Sequence, residues 1–487
     1  MSVQDSRREK LDALIQRGIA PYAYRFDVTH GSAAIKERHA ALEESGERVR
    51  FGGRLMTKRG HGKAAFATVK DRDGSQQVYF REDVLGPEAF AFAVDLDLGD
   101  WIGVEGPVFV TKTGEITIRA ERLELLAKSL RPLPEKWHGL TDVEIRYRQR
   151  YTDLIVNDDV RRVFRARADI VRSLRSFLDA RGFLEVETPA LQPLYGGASA
   201  RPFVTHHHAL DMKLYLRIAD ELYLKRLIVG GLERVYEISK DFRNEGMDRT
   251  HNPEFTMLEF YQAFADYEVM LETTQAMLLE TILAVNGKHV IPFEGAEIDF
   301  TPPWRRLTIR EAAAQGLGAS ALPEDERSLR ELAGRAGVPL DPAFGYGRIL
   351  DEIVSVKVQP QLRDPTFLVD HPREISPLAK VKRGNPDSVE RFELIIAGME
   401  VANAFSEQND PLEQRRAFEQ QGRLRERGDE EAQMLDTDYL RALEMGMPPT
   451  GGVGVGVDRL VMLLTDSRSI RDVILFPHMR PEDGNDD

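Results

Sequence analysis

The sequence of 487 residues contains no cysteine. Disulfides, thiolate-bound zinc, iron–sulfur clusters and cysteine nucleophiles are therefore excluded. The sequence also lacks an apolar run of about 18 residues, so no membrane-spanning helix is predicted. The N-terminal residues MSVQDSRREKL carry too many charges for the apolar segment of a secretory signal. Together these absences predict a cytoplasmic protein.

An excess of positive charge is lacking as well. Lys and Arg number 66 against 80 Asp and Glu, which gives a net charge of −14. The Gly-x-x-x-x-Gly-Lys-Ser/Thr phosphate loop and the Gly-x-Gly-x-x-Gly dinucleotide signature are also absent. Hydrophobic residues make up 42% and charged residues 30%, as in an ordinary globular protein. The length predicts roughly two to four domains.

The N-terminal third divides into two patterns. Residues 1–47 have helical spacing and predict a helical appendage. Residues 48–126 change to the alternation of short strands, with a helical stretch near 87–94. Five strand-like runs are separated by Gly- and Asp-containing turns: RVRFGGRLMT, AAFATVKD, QQVYFR, DWIGVEGPVFVT and EITIRA. Five short strands and one helix predict a small all-β barrel of the oligonucleotide-binding type, the OB-fold.

The first half of this barrel is basic and carries no Asp or Glu between residues 50 and 70. Aromatic residues Phe66, Tyr79 and Phe80 lie among the basic ones. Cations neutralise phosphates and aromatic rings stack on unpaired bases, so the pattern predicts single-stranded nucleic-acid binding. A solvated charged face over core aromatics is an equal alternative. The basic residues are Arg50, Arg54, Lys58, Arg59, Lys63 and Lys70.

The rest of the chain predicts a second domain of a different class. Residues 127–157 contain Pro132 and Pro134 and are interpreted as a linker. From residue 158 to 487, helices and strands alternate irregularly, and the strands are separated by long loops. This pattern predicts an α+β domain with an antiparallel sheet rather than repeated βαβ units.

A strand-like run at 254–262 carries an acidic residue among aromatics. By the period of two, Phe255, Met257, Glu259 and Tyr261 share one face. A carboxylate in such surroundings is costly unless a cation or a donor meets it. That cation is either an Arg or Lys of the same chain or part of a ligand. The preceding loop is dense in Arg, Asn, Glu and His, and its arginines are suited to clamping phosphates.

Two further segments carry candidate ligand contacts. In residues 391–407, Glu393 and Glu400 lie in an otherwise apolar run. Such carboxylates bind Mg²⁺ beside nucleotide phosphates, with internal salt bridges as the alternative. In residues 451–465, three alternate glycines leave one strand face as bare backbone, where a flat ligand can approach. Asp458 and Arg459 follow at the start of a helix.

In chain order, these segments resemble the motifs of a known enzyme class. The helix at about 158–181 with its following strand, the loop-and-strand segment and the glycine strand resemble motifs 1, 2 and 3 of class II aminoacyl-tRNA synthetases. The HIGH and KMSKS signatures of class I are absent. The resemblance is specifically to the lysine enzyme of class II. It is carried by FRNEG (242–246), HNPEFTMLEFY (251–261), GVGVGVDRL (452–460), GGASARPF (196–203) and ELYLKRL (221–227).

The resemblance implies a catalytic domain over 158–487 with an antiparallel sheet and a homodimer formed through motif 1. It implies that ATP and L-lysine form lysyl-adenylate and pyrophosphate, and that the lysyl group then passes to the terminal ribose of tRNA(Lys). The barrel at 48–126 would bind the anticodon. The residues implied there are Arg59, Phe66, Gln77 and Glu115.

At the nucleotide, the resemblance implies two catalytic arginines. Arg243 would contact the substrate carboxylate and the α-phosphate, and Arg459 would hold the γ-phosphate. Glu393 and Glu400 would bind Mg²⁺, which neutralises the pyrophosphate leaving group. The other implied ATP contacts are Glu245, His251, Asn252 and Phe255, with Phe255 stacking on adenine.

For lysine, the resemblance implies that Glu221 and the backbone near Gly197 bind the α-ammonium. Glu259 and Glu407 would bind the side-chain ammonium, which would supply both carboxylates with an otherwise missing partner. Such a pair rejects acidic side chains by repulsion. The remaining implied contacts are Arg243, Tyr261, Asn403 and Phe405.

Three alternatives stay open at this point. The aspartate or asparagine enzyme of the same subclass is disfavoured by the acidic pocket. A relative that attaches lysine-like groups to a protein usually lacks the barrel. A non-catalytic tRNA-binding paralogue would be expected to lose Arg243, Arg459 or the Mg²⁺ carboxylates, and all are present. The sequence departs from many relatives at Met399 and Ala404, where arginine and glycine are common.

Overall fold

The computed structural model describes residues 2–134, 140–426 and 434–481. They form two compact units, divided between Thr141 and Asp142. The segment 127–157, interpreted as a linker, contributes to both units, because residues 143–156 form two short helices of the second one. Residues 135–139 of that segment lie outside the described residues. Within the described parts of the chain, no helix has the length and apolar character needed to cross a membrane.

The first unit contains two N-terminal helices and a barrel. The helices are α1 (Val3–Gln16), α2 (Ser32–Ser45), α3 (Glu82–Leu85) and α4 (Pro87–Asp95). The strands are β1 (Arg48–His61), β2 (Ala64–Lys70), β3 (Ser75–Arg81), β4 (Trp101–Val110), β5 (Ile116–Arg119) and β6 (Arg122–Ala127). The long strand β1 pairs with β4 through its first half and with β2 through its second. This double pairing closes the sheet β1-β2-β3-β5-β4 into a barrel.

The predicted all-β OB-fold barrel is therefore confirmed, with one strand more than predicted. Strand β6 adds to β4 outside the closed ring. The sequence RLELLA follows β5 after only two residues, so no turn segment separates it in the pattern. Alternate residues of the strands, such as Val49, Phe51 and Val78, fill the interior.

The helices and strands of the second unit are as follows. The helices are α5 (Val143–Arg148), α6 (Arg150–Val156), α7 (Asp158–Asp179), α8 (Glu221–Val229), α9 (Tyr267–Asn286), α10 (Ile309–Gly316), α11 (Glu326–Arg335), α12 (Tyr346–Lys357), α13 (Pro411–Glu426), α14 (Thr437–Glu444), α15 (Val457–Leu464) and α16 (Ile470–Val473). Two 3₁₀ turns span Gln359–Gln361 and Arg373–Ile375. The strands are β7 (Leu184–Glu185), β8 (Leu191–Gln192), β9 (Val204–His207), β10 (Met212–Leu216), β11 (Arg234–Phe242), β12 (Glu254–Ala263), β13 (Val290–Phe293), β14 (Ala296–Asp299), β15 (Arg305–Thr308), β16 (Thr366–Val369), β17 (Val381–Lys382), β18 (Asn385–Val389), β19 (Arg391–Ile396), β20 (Met399–Ser406) and β21 (Thr450–Gly456).

An eight-stranded sheet organises this unit, in the order β15-β16-β19-β20-β21-β12-β11-β7. The six central strands are antiparallel to one another, whereas the edge strands β7 and β15 pair in parallel with β11 and β16. The α+β class with an antiparallel-rich sheet is therefore confirmed. One face of the central strands, including Leu258, Phe260 and Val455, packs on α7, α9 and α15 in the main core. Because strand side chains alternate, the intervening residues point to the opposite face.

Candidate active site

A cavity of about 540 Å³ lies on the sheet face opposite the main core. It collects residues from Gly197 to Ile470, which are 273 positions apart in the chain, because β20, β21 and β12 are neighbours in the sheet. All fifteen predicted site residues of the second unit line this cavity: Gly197, Glu221, Arg243, Glu245, His251, Asn252, Phe255, Glu259, Tyr261, Glu393, Glu400, Asn403, Phe405, Glu407 and Arg459.

The glycine strand β21 forms the floor between two functional strands. In register, Gly454 lies between Glu259 and Asn403. Gly452 lies between Tyr261 and Phe405 in the same way. A Cβ atom at Gly452 would overlap the Tyr261 ring and the Glu407 carboxylate. The bare backbone therefore keeps the cavity open, and the valines of the strand are buried in the core as their period predicts.

Glu259 lies at the acidic end of the cavity and is buried. The Tyr261 hydroxyl donates to its Oε2 over 2.9 Å, and the Asp220 amide donates to Oε1 over 3.3 Å. Burial, and the neighbouring carboxylates of Asp220 and Asp241, raise the pKa of Glu259 well above its usual value. Among the described residues, no Lys or Arg forms an ion pair with Glu259. Its environment therefore favours the arrival of a cation from outside the chain.

Glu407 differs, and the expectation that it lacks a partner on this chain is wrong. The Lys225 ammonium forms ion pairs with both Glu221 and Glu407. Lys225 follows Glu221 by one helical turn in α8, and the end of β20 brings Glu407 to the same point. The three side chains are almost completely inaccessible to solvent.

Two arginines lie at the other end of the cavity. The Arg243 guanidinium packs over the Phe255 ring at 5.0 Å. Arg459 lies in the first turn of α15 and donates to the Glu400 carbonyl over 2.6 Å. Its second amino group is 3.0 Å from His251 Nε2. Because arginine can only donate, Nε2 accepts, and the His251 Nδ1 proton points to Asp248 at 2.8 Å.

The remaining predicted residues of this end have few contacts of their own. The Asn252 amide donates to the Glu254 carbonyl over 2.6 Å, and its side-chain oxygen is buried without a hydrogen bond. Glu245 follows Arg243 in an exposed turn. These groups leave hydrogen-bonding capacity directed at the cavity, as a polar ligand requires.

Glu393 and Glu400 form a carboxylate pair between the two ends. Burial and the charge of Glu400 raise the pKa of Glu393 to about 8, although Arg391 opposes the shift. Arg391 lies 2.6 Å from Glu393 Oε1 and donates to Asn403 Oδ1 over 3.1 Å. The internal salt bridge considered for Glu393 is therefore present. A divalent cation would still fit, because it would offset the repulsion between two carboxylates that face the same space.

Sequence reasoning missed several side chains of the cavity and its wall. Lys225 follows Glu221 at helical spacing, and Arg391 precedes Glu393 on the same strand face. A local sequence pattern therefore could have identified both residues as partners of predicted site residues. Arg348 and Asp351 reach the cavity from α12, and nothing in the sequence linked that helix to the site. The missed residues are Asp220, Lys225, Asp241, Arg348, Asp351 and Arg391.

The two departures from the related sequences face away from the cavity. Met399 and Ala404 are both buried in the main core. In strand β20 they lie on the face opposite Asn403 and Phe405. The shape of the cavity wall therefore does not depend on glycine or arginine at these positions.

In the first unit, three of the four residues implied for the anticodon site lie on adjacent strands. Arg59 pairs with Phe66 across β1 and β2, and the Phe66 ring stacks on Tyr79 of β3 at 4.3 Å. Phe66 is 38% exposed, so it is not a core aromatic. Gln77 on β3 accepts from Thr117 over 2.7 Å, two residues beyond Glu115.

Two of the basic residues of this region serve the fold instead. The half-buried Lys58 ammonium donates to backbone carbonyls of the segment 93–96. Arg54 donates to the Gly99 carbonyl over 2.8 Å and packs on Trp101. The basic surface available to a nucleic acid is therefore smaller than the sequence count indicates.

Comparison with known proteins finds a matching family for each of the two units. A family described as "tRNA synthetases class II (D, K and N)" matches residues 142–480, and an "OB-fold nucleic acid binding domain" matches 49–126. The lysine--tRNA ligase of Moorella thermoacetica is 56% identical over 479 residues, which cover 98% of this chain and 97% of that one. That of Roseiflexus castenholzii is 54% identical over 484 residues, 99% of each chain. The chain belongs to the class II tRNA synthetases and, within them, to the lysine--tRNA ligase family.

Proposed function

We propose that the protein activates L-lysine with ATP and transfers the lysyl group to the 3′-terminal ribose of tRNA(Lys). The observation that carries the proposal is the polarity of the cavity. Arginines suited to phosphates lie at one end, and Glu259, a buried carboxylate without an ion-pair partner among the described residues, lies at the other. An aspartate or asparagine substrate has no side-chain cation for Glu259. A non-catalytic paralogue has no use for Arg243 and Arg459 in one cavity.

In the first step, a carboxylate oxygen of lysine attacks the α-phosphorus of ATP and pyrophosphate leaves. The carboxylate is already ionised at neutral pH, so no general base is needed. Arg243 would contact both the carboxylate and the α-phosphate, and Phe255, which packs against its guanidinium, would stack on adenine. Catalysis then comes from orientation and from stabilising the charge that develops at phosphorus.

Arg459 and His251 would bind the terminal phosphate, where their mutual contact orients both side chains. Glu393 and Glu400 would hold Mg²⁺, which, when bound, neutralises charge on the pyrophosphate leaving group. Asn403 is held by Arg391 and donates to Glu400 over 3.2 Å, so it connects the metal-binding and amino-acid-binding parts of the cavity. In the second step, a ribose hydroxyl of the tRNA attacks the lysyl carbonyl and AMP leaves.

The proposal is tested by exchange of labelled pyrophosphate into ATP, measured separately with each standard amino acid. We expect exchange with lysine alone at a rate far above all others. Exchange with aspartate or asparagine would establish the alternative enzyme. The absence of exchange with every amino acid, in protein that binds tRNA, would establish the non-catalytic paralogue.

Replacement of Glu393 by Gln is expected to raise the Mg²⁺ concentration needed for half-maximal exchange by at least about tenfold, because a charged ligand is lost. In the wild type, Glu393 holds a proton below its pKa of about 8 when no metal is bound. Metal binding must displace that proton, so Mg²⁺ affinity should rise as pH increases from 6 to 8. The variant should lose much of this pH dependence. An unchanged Mg²⁺ requirement would remove Glu393 from the metal site.

Replacement of Phe66 by Ala is expected to raise the KM for tRNA and to leave lysine-dependent exchange unchanged. The loss of one base stack is worth about 1–3 kcal/mol, or roughly 5- to 150-fold in KM. Tyr24 is a matched control, because its side chain is fully exposed in the same unit. If Phe66→Ala and Tyr24→Ala charge tRNA equally well, Phe66 does not contact the anticodon.

The proposal extends to a homodimer and to a cytoplasmic location. The dimer is expected because motif 1, here α7 and the strand β7 at the sheet edge, forms the dimer interface in this class. Light scattering of the purified chain should give twice its mass of 55.1 kDa.

A further inference from the structure

Lys225 is a buried cation to which the proposed mechanism assigns no role. Its side chain has 0% exposure, and its ammonium lies 5.2 Å from the Phe405 ring. The ammonium forms an ion pair with one carboxylate oxygen of each of two glutamates, Oε1 of Glu221 and Oε2 of Glu407. A lysine in such surroundings remains charged only because both carboxylates face it.

The other oxygen of each glutamate faces the wall of the cavity. Oε2 of Glu221 lies beside Gly197, whose added Cβ would be 3.8 Å away. Oε1 of Glu407 lies beside Gly452, where a Cβ would overlap it. Both glycines line the cavity. Lys225 therefore pairs with one oxygen of each carboxylate, and the other oxygen, beside the cavity, stays available to a ligand.

We propose that Lys225 is a positioning residue that determines specificity, because it holds Glu221 and Glu407 ionised and correctly placed for the two ammonium groups of lysine. The inference rests on the proposed function. Lys225 itself is enclosed and does not touch the substrate. Without its charge, two carboxylates removed from water would take up protons, and a neutral carboxyl group does not pair with an ammonium.

The charged and titratable groups around this bridge come from every element packed against it. Glu221 lies on α8 itself, Glu407 follows β20, and Tyr439, which also acts on the pKa of Lys225, lies on α14. The charge of Arg391 on β19 lowers the pKa of Glu221. On β12, both glutamates raise the pKa of Tyr261, and Glu221 also raises the pKa of Glu259. Since burial raises the pKa of Glu407 and Lys225 opposes this, removal of Lys225 should raise that pKa further.

The test is Lys225→Met in the full chain, which keeps the unbranched shape and most of the length of the side chain and removes its charge. In pyrophosphate exchange we expect the KM for lysine to rise about 100-fold, with the KM for ATP changed less than about threefold. The KM for lysine should fall with increasing pH more steeply than in the wild type, because loss of Lys225 removes a charge that lowers the pKa of both glutamates. Lys288→Met, at an exposed position, should match the wild type.

Equal increases in both KM values, or a loss of kcat with an unchanged KM for lysine, would overturn the inference. If Lys225→Met does not fold, Lys225→Met/Glu407→Gln is compared with Glu407→Gln, since removal of both charges is tolerated better than removal of one. The double variant should still show the higher KM for lysine. An equal KM in the two variants would overturn the inference. Wild-type protein without lysine-dependent exchange would overturn the proposed function instead.

Discussion

Arg243→Ala is expected to reduce lysine-dependent pyrophosphate exchange by at least about 100-fold, a loss of about 3 kcal/mol or more in transition-state stabilisation. Arg243 follows β11 in the motif 2 loop and packs on Phe255, so its guanidinium is oriented before any ligand arrives. Its charge acts mainly on the phosphorus centre as negative charge develops there. The loss should therefore appear in kcat as well as in the KM for ATP.

A matched control for this variant lies in the same loop. Arg249 is half exposed, forms an ion pair with Glu294 and does not line the described cavity. Arg249→Ala should retain nearly full exchange activity. Thermal unfolding of both variants checks the fold. This check is needed because the charge of Arg243 also lowers the pKa of the buried Asp241. Exchange at a near wild-type rate in folded Arg243→Ala protein would contradict the assignment.

Glu259→Gln is expected to raise the KM for lysine by two to three orders of magnitude, with little change in the KM for ATP. The substitution keeps the shape of the side chain and its contact with Tyr261. The substrate ammonium then loses its charged partner in a buried site, where breaking an ion pair costs about 3–5 kcal/mol. A hydroxyl-terminated isostere of lysine should lose much less from the same substitution. This difference identifies the ammonium as the group that Glu259 binds.

Glu254→Gln on the same strand is the control, because Glu254 is partly exposed and lies outside the cavity lining. It should leave both KM values unchanged. Equal effects of Glu259→Gln on lysine and ATP would show that Glu259 supports the fold instead, and the pocket assignment would be withdrawn. Glu407→Gln is a less clean test, because it also leaves Lys225 with one carboxylate fewer.

Local patterns predicted much of this site. The period of two assigned Phe255, Met257, Glu259 and Tyr261 to one face of β12, and all four line the cavity. The alternating glycines of β21 predicted the bare strip on which the cavity rests. Strand periodicity depends only on backbone geometry and on which face is apolar, so it can be inferred before the fold is known.

Partners between distant segments could not be inferred in this way. The sequence alone determined that Glu407 is a carboxylate in a buried run and that Lys225 follows Glu221 by one helical turn. Only the tertiary structure decided that these three meet, because α8 packs beside the sheet where β20 ends. The same holds for Lys58, whose charge counts toward a basic surface in the sequence but is bonded to backbone carbonyls in the fold. Electrostatic pairing depends on distance in space and on burial, and neither is encoded in the local period of a chain.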